Sequence, residues 1–148
     1  MKAVVQKVKK SHVVVENKIV SNIGGGLLVL LGIRDDDTKK DADFLVEKII
    51  NLRIFEDDSK RMNISLKDMK GELLVVSQFT LLADCRKGRR PSFTKAASPK
   101  KAKDLYEYFI ARAIDLGVVT KSGVFKAMMD VSLINQGPVT ILLDTKEK

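Results

Sequence analysis

The sequence predicts an α/β (α+β) fold, a single domain over 1–148 whose sheet is mostly antiparallel or mixed, or barrel-like, with two main helices. Three observations predict it. The first third is rich in Val, Ile and Leu runs split by turn residues; two stretches of helical spacing follow; and the chain returns to strand-like runs at its end. With 148 residues, 45% of them hydrophobic and 31% charged, the chain can bury one core and has the composition of an ordinary folded protein.

Ala3 to Val8, His12 to Val15, Ile19 to Ile23 and Leu27 to Ile33 read as strands, separated by Asn17 and by Gly24-Gly25-Gly26, and an antiparallel meander is their simplest assembly. Thr38, with Asp41 three residues on, resembles a capping box ahead of Leu45, Ile49 and Leu52, so Lys39 to Leu52 is predicted helical. Glu72 to Val76 is a short apolar strand. Ser98 then supplies an N-cap and Pro99 a first helical position for a helix with Ala102, Leu105, Phe109, Ala113 and Leu116 on one face, stopped by Gly117. Val118 to Thr120, Lys126 to Ile134 and Val139 to Leu143 complete the strands, with Asn135-Gln136-Gly137-Pro138 predicted as the turn between the last two.

Charge and rare residues narrow the chemistry. Lys and Arg number 27 against 19 Asp and Glu, a net +8 that favours an anionic partner such as nucleic acid or else a solvated basic surface. Cys85 is the sole cysteine, which fits a reducing, cytoplasmic compartment, and no apolar run is long enough to cross a membrane. With one histidine and one cysteine a Cys/His zinc site cannot be assembled within one chain, and neither metal nor cofactor is expected. His12, among valines, reads as a structural histidine rather than a triad base. The carboxylate runs Asp35-Asp36-Asp37 and Glu56-Asp57-Asp58 are assigned to solvent.

Three segments remain as candidates. Arg86, Lys87, Arg89 and Arg90, with Lys95, Lys100, Lys101 and Lys103, form the densest positive cluster and suit phosphate binding, with Phe93 as an anchor for the loop. Ser77, Gln78 and Thr80 place polar side chains just beyond a strand predicted to be buried, where a rigid element can present a site or simply end. Gly137-Pro138 is either an ordinary turn or a cis bond at a special position.

Ser77-Gln78-Phe79-Thr80-Leu81 and Asn135-Gln136-Gly137-Pro138-Val139-Thr140 resemble the two signature motifs of the D-aminoacyl-tRNA deacylases. The resemblance extends along the whole chain, through Ala3-Val4-Val5-Gln6, Asn51 to Phe55, Arg86 to Phe93 and Gly123-Val124-Phe125. It implies a cytoplasmic hydrolase that removes D-amino acids, and glycine, from the 3′-terminal adenosine of tRNA as chiral proofreading in translation. It implies a homodimer in which the first motif of one chain meets the Gly-Pro motif of the other. Ser77, Gln78, Phe79 and Thr80 would carry catalysis, with backbone N–H groups around Phe79 and Thr80 forming an oxyanion hole. Gly137, Pro138, Lys7, Phe125 and Met129 would bind the substrate, a cis Gly137-Pro138 presenting carbonyls to the α-amino group and excluding L side chains. Arg86, Lys87, Arg89 and Arg90 would bind tRNA, and the tRNA 2′-hydroxyl would assist hydrolysis in place of a protein nucleophile. One departure stands out: Lys7 occupies the place of an arginine that in the family is associated with the Gly-Pro motif, and Lys lacks that planar fork.

Overall fold

The computed structural model describes residues 1–147. Its elements in chain order are β1 (Lys2–Val15), β2 (Lys18–Ile23), β3 (Gly26–Gly32), α1 (Lys39–Asn51), β4 (Phe55–Glu56), β5 (Met62–Ile64), β6 (Glu72–Ser77), a single 3-10 turn (Phe79–Leu82), α2 (Pro99–Asp115), β7 (Val119–Ser122) and β8 (Asp130–Asp144). The class is as expected: two helices on a mostly stranded, nearly barrel-shaped sheet.

The sheet is organised around β1. One edge of β1 pairs with β3 over Lys2 to Val8 and with β2 over Ser11 to Val15, so β2 and β3 act as one strand interrupted at Gly24-Gly25. The other edge pairs antiparallel with β8 over nearly its whole length. The assembly is mixed rather than a pure meander, because β6 lies parallel to β3 and β7 parallel to β6. Gly26 is fixed by this pairing and not by a turn: a Cβ there would lie 1.9 Å from the Glu72 carbonyl oxygen.

β3 and β6 read as unbroken apolar runs because both their faces are covered. On one face Leu27, Val29, Leu31, Leu73 and Val75 meet Leu45 and Ile49 of α1 and Phe109 of α2. On the other, Leu28, Leu74 and Val76 meet Val8, Val13 and Ile23, with Val131 and Leu133 packed against them. The strands curl to make this second cluster, and Lys121 on β7 donates to the Asn22 carbonyl on β2 at 2.6 Å. Tyr106 ties α2 to the sheet through its hydroxyl, which donates to the Val75 carbonyl at 2.8 Å, and burial pushes its phenol up to about 12.

Both predicted helix starts are realised. The Thr38 backbone N–H and hydroxyl each donate to the Asp41 carboxylate (2.8 and 2.9 Å), and the Ser98 hydroxyl accepts from Lys101 N–H with Pro99 in the first turn. Elsewhere the structure departs from expectation. The predicted break between Val8 and His12 does not exist: Lys10 and Ser11 continue β1 by pairing with Ile134 and Leu133, and the Ser11 hydroxyl donates to the Ser132 carbonyl. Asn135 to Pro138 is not a turn between strands but a bulge inside the continuous β8. Lys126 to Met129 precede β8 in irregular structure, with Lys126 at φ +64°. The small β4–β5 ribbon was not foreseen. Asp37 is not solvated: its carboxylate is buried and takes the Met1 ammonium at 2.6 Å.

Candidate active site

Ser77 ends β6 opposite Leu31, and the Gln78 N–H still donates to the Leu31 carbonyl at 2.8 Å. Beyond it the chain tightens into the 3-10 turn, closed by Leu81 N–H to Gln78 C=O and Ala83 N–H to Thr80 C=O. The N–H groups of Phe79 and Thr80 open this turn, and like any first N–H groups of a helix they have no acceptor within it. No other acceptor for them is found among the described residues. Both residues are exposed, and their two adjacent backbone donors lie just past the end of β6. The Thr80 hydroxyl is engaged as an acceptor by the Gln78 amide.

The basic loop is attached directly to this turn. Asp84 and Ser92 exchange backbone hydrogen bonds at 2.8 and 3.0 Å, closing the loop, and Phe93 meets Phe79 edge-on with ring centroids 5.0 Å apart. Phe93 is therefore the anchor that the sequence suggested. Arg86 differs from its neighbours: its guanidinium grips the Asp84 carboxylate and holds it well below the usual carboxylate range. Lys87, Arg89 and Arg90 are exposed, and none forms an ion pair among the described residues.

The Gly-Pro motif sits in the middle of β8. Gln6 pairs with Thr140 and Val8 with Asn135, so four residues of β8, Gln136 to Val139, bulge out opposite the single residue Lys7. Gly137 has φ +125°, a region open to glycine, and Gly137-Pro138 is cis. Asn135 clamps the bulge: its Oδ1 accepts from the Val139 N–H and its Nδ2 donates to the Thr140 hydroxyl, both at 2.9 Å. Gln136, Gly137 and Pro138 are exposed. Asn135 and Asp84 are the two residues that sequence reasoning missed as site residues. The available signal was a side-chain amide or carboxylate placed to serve nearby backbone N–H groups.

Lys7 stands opposite the bulge but turns inward. It is 8% exposed, and its ammonium lies over the Phe55 ring, 5.5 Å from the centroid. Phe125 packs against Tyr106 at 5.8 Å and against the main core, whereas Met129 packs against the second cluster with its Sδ beside Gly123. These two mark the segment leading into β8.

The two motifs do not meet within one chain. Ser77, Leu31, Ala3 and Leu143 form one row across β6, β3, β1 and β8, and the bulge begins beyond Thr140. At about 4.8 Å per strand spacing and 3.3 Å per residue, motif and bulge are separated by roughly 15–20 Å along the sheet. The 3-10 turn instead faces the end of β8, where Leu81 lines a cleft with Leu142, Leu143 and Asp144. Leu142 is 76% exposed there, an apolar side chain of β8 turned away from the main core.

The family model described as D-Tyr-tRNA(Tyr) deacylase matches residues 4–144. A D-aminoacyl-tRNA deacylase of Syntrophus aciditrophicus is 61% identical over 99% of this chain and 98% of its own length. That of Clostridioides difficile is 56% identical, covering 99% of each. Among solved structures, one described as c-Myc DNA unwinding element binding protein superposes with a TM-score of 0.93 at 43% identity, covering 97% of this chain and 98% of that one. A probable eukaryotic D-amino acid tRNA deacylase shares the fold at a TM-score of 0.82 and 20% identity, over 96% of this chain and 97% of that one. A match spanning both motifs, with relatives of this identity over almost the full chain, places this protein in the D-Tyr-tRNA(Tyr) deacylase family.

Proposed function

We infer that this protein is a D-aminoacyl-tRNA deacylase that hydrolyses the ester joining a D-amino acid, or glycine, to the 3′-terminal adenosine of tRNA, as cytoplasmic chiral proofreading. Family membership supports the activity. The observation that carries the mechanism is the pair of unpartnered N–H groups of Phe79 and Thr80 at a rigid strand end, beside a loop of uncompensated positive charge.

Donors fixed in this way suit the oxyanion that develops when the ester carbonyl is attacked, and one such donor is worth on the order of a hundredfold in rate. Ser77 and Gln78 set the turn, and the Gln78 amide holds the Thr80 hydroxyl as an acceptor, a poor arrangement for a nucleophile. The attacking water is assisted by the 2′-hydroxyl of the terminal ribose, a neighbouring group already at near-attack distance.

The carbonyls of Gly137 and Pro138 take the substrate's α-ammonium and leave no room for an L side chain. Phe125 and Met129 support the segment that leads to this bulge, and Lys7 backs it from β1. Because motif and bulge lie far apart within one chain, the site is completed by a second copy, with the exposed Leu142 of β8 as part of the contact. Arg86, Lys87, Arg89 and Arg90 draw in the tRNA acceptor end, with Arg86 acting chiefly as a brace for the loop.

The test is hydrolysis of D-tyrosyl-tRNA, L-tyrosyl-tRNA and a D-tyrosyl-tRNA ending in 2′-deoxyadenosine. The first should turn over readily, the second should resist, and the third should bind but turn over very slowly. Equal rates on the D and L esters would remove the chiral role, and a normal rate on the deoxy substrate would remove the 2′-hydroxyl assistance.

A further inference from the structure

Between the start of β1, Arg34 and the base of the basic loop lies a cleft of about 260 Å³. Lys2, Arg34, Arg86 and Lys95 line it, and Asp84 is the one carboxylate among its lining residues. Leu82, which ends the 3-10 turn, and Ala83 just after it also line the cleft, so it adjoins the candidate active site.

Two of its cations, Arg34 and Arg86, are held in place by carboxylates. Asp144 grips Arg34 through two N–H groups, and three of the five guanidinium N–H groups stay available. The Lys95 carbonyl accepts from the Asp35 N–H at 3.1 Å and Ala96 bridges to Arg34, which fixes the backbone of this wall while the Lys95 side chain stays exposed. Lys2 lies 3.9 Å from Asp144, a loose pair, and its side chain is 42% exposed. Lys95 makes no ion pair among the described residues.

We propose that this cleft is a phosphate subsite that seats a backbone phosphodiester of the tRNA 3′ end, next to the nucleotide whose ester is hydrolysed. Two braced guanidiniums and two more mobile lysines against two carboxylates, Asp84 and Asp144, leave a net positive charge that suits a monoanion with two free oxygens, and the pocket opens beside the turn where the ester would sit. The subsite holds the strand in register. The exposed Lys87, Arg89 and Arg90 serve the longer-range attraction. The assignment rests on the deacylase reading for the identity of the ligand.

The experiment compares wild type, Lys95→Ala and Lys2→Ala/Lys95→Ala, with Lys40→Ala on α1 as a charge-matched control. Two readouts are taken: tRNA affinity against salt, and hydrolysis of D-tyrosyl-tRNA beside 3′-O-D-tyrosyladenosine, which has no phosphate. Lys95→Ala should weaken tRNA binding several-fold and lower the salt slope by about one, with the double variant lower still and the control unchanged. The loss should appear in KM for the tRNA substrate and leave the rate on the phosphate-free ester within about twofold. A salt slope unchanged in both variants overturns the subsite, and so does an equal loss on the two esters. Cleft-dependent tRNA binding without hydrolysis of either ester by wild type would instead overturn the deacylase reading and leave the subsite standing.

Discussion

Asp144 is a residue whose neighbours decide its behaviour. Bidentate contact with Arg34 and nearby Lys2 hold its carboxyl down to about 2, from an ordinary 3.8. A depressed carboxylate stabilises the fold above its unfolded-state pKa and ceases to do so as pH falls through the folded value, so this contribution is lost between roughly pH 4 and pH 2. The shift corresponds to at most about 2 kcal/mol, and Asp144→Asn should flatten the acid limb of a stability–pH curve followed by urea unfolding. At the active site, Thr80→Ala should keep substantial deacylation, within about tenfold of wild type, because the inferred contribution is a backbone N–H. Complete loss in a folded variant would point to the hydroxyl. Neither partner of Asp144 was visible in the sequence, since Arg34 and Asp144 are 110 residues apart and pair only because β1 carries both neighbouring strands. Asp37 shows the same limit: a run of three acids looks solvated until the fold brings the Met1 ammonium to one of them.

At the scale of elements, local chemistry was legible wherever one segment decided its own structure. The helix starts at Thr38 and Ser98, the stop at Gly117 and the apolar runs of β3 and β6 follow from propensity, capping and burial. What escaped was the length of β1 and β8, because each is stabilised by the other across the sheet and the polar residues inside them look like breaks. The bulge at Gln136 to Val139 carries turn residues and is placed by register. Its local clamp is Asn135, so Asn135→Ala should raise KM for D-tyrosyl-tRNA and weaken discrimination against the L ester, with loss of about 1 kcal/mol of stability from an unmet N–H. Rescue by Asn135→Asp, whose carboxylate can still accept from Val139, would separate this clamp from a general packing defect. The candidate site itself was legible through family resemblance. Composition and spacing alone had left Ser77 to Thr80 and Gly137-Pro138 undecided.

On the scale of the whole molecule, Leu142 is a large apolar side chain of β8 left 76% exposed. If two copies meet there, Leu142→Glu should convert a dimer into a monomer by sedimentation equilibrium and abolish deacylation together, whereas a change at the distant Phe44 of α1 should do neither. A monomeric yet fully active Leu142→Glu protein would place both motifs in one chain's site. The pairing of β1 with β8 also bears on how the protein is made. β1 acquires its second edge only from β8, across a separation of more than a hundred residues. Until then β1 has β2 and β3 on one side and bare N–H and C=O groups on the other, an open template for a neighbouring nascent chain. Completion of the sheet therefore waits for β8 to emerge, and a chain halted before Asp130 would carry that open edge for as long as it lasted.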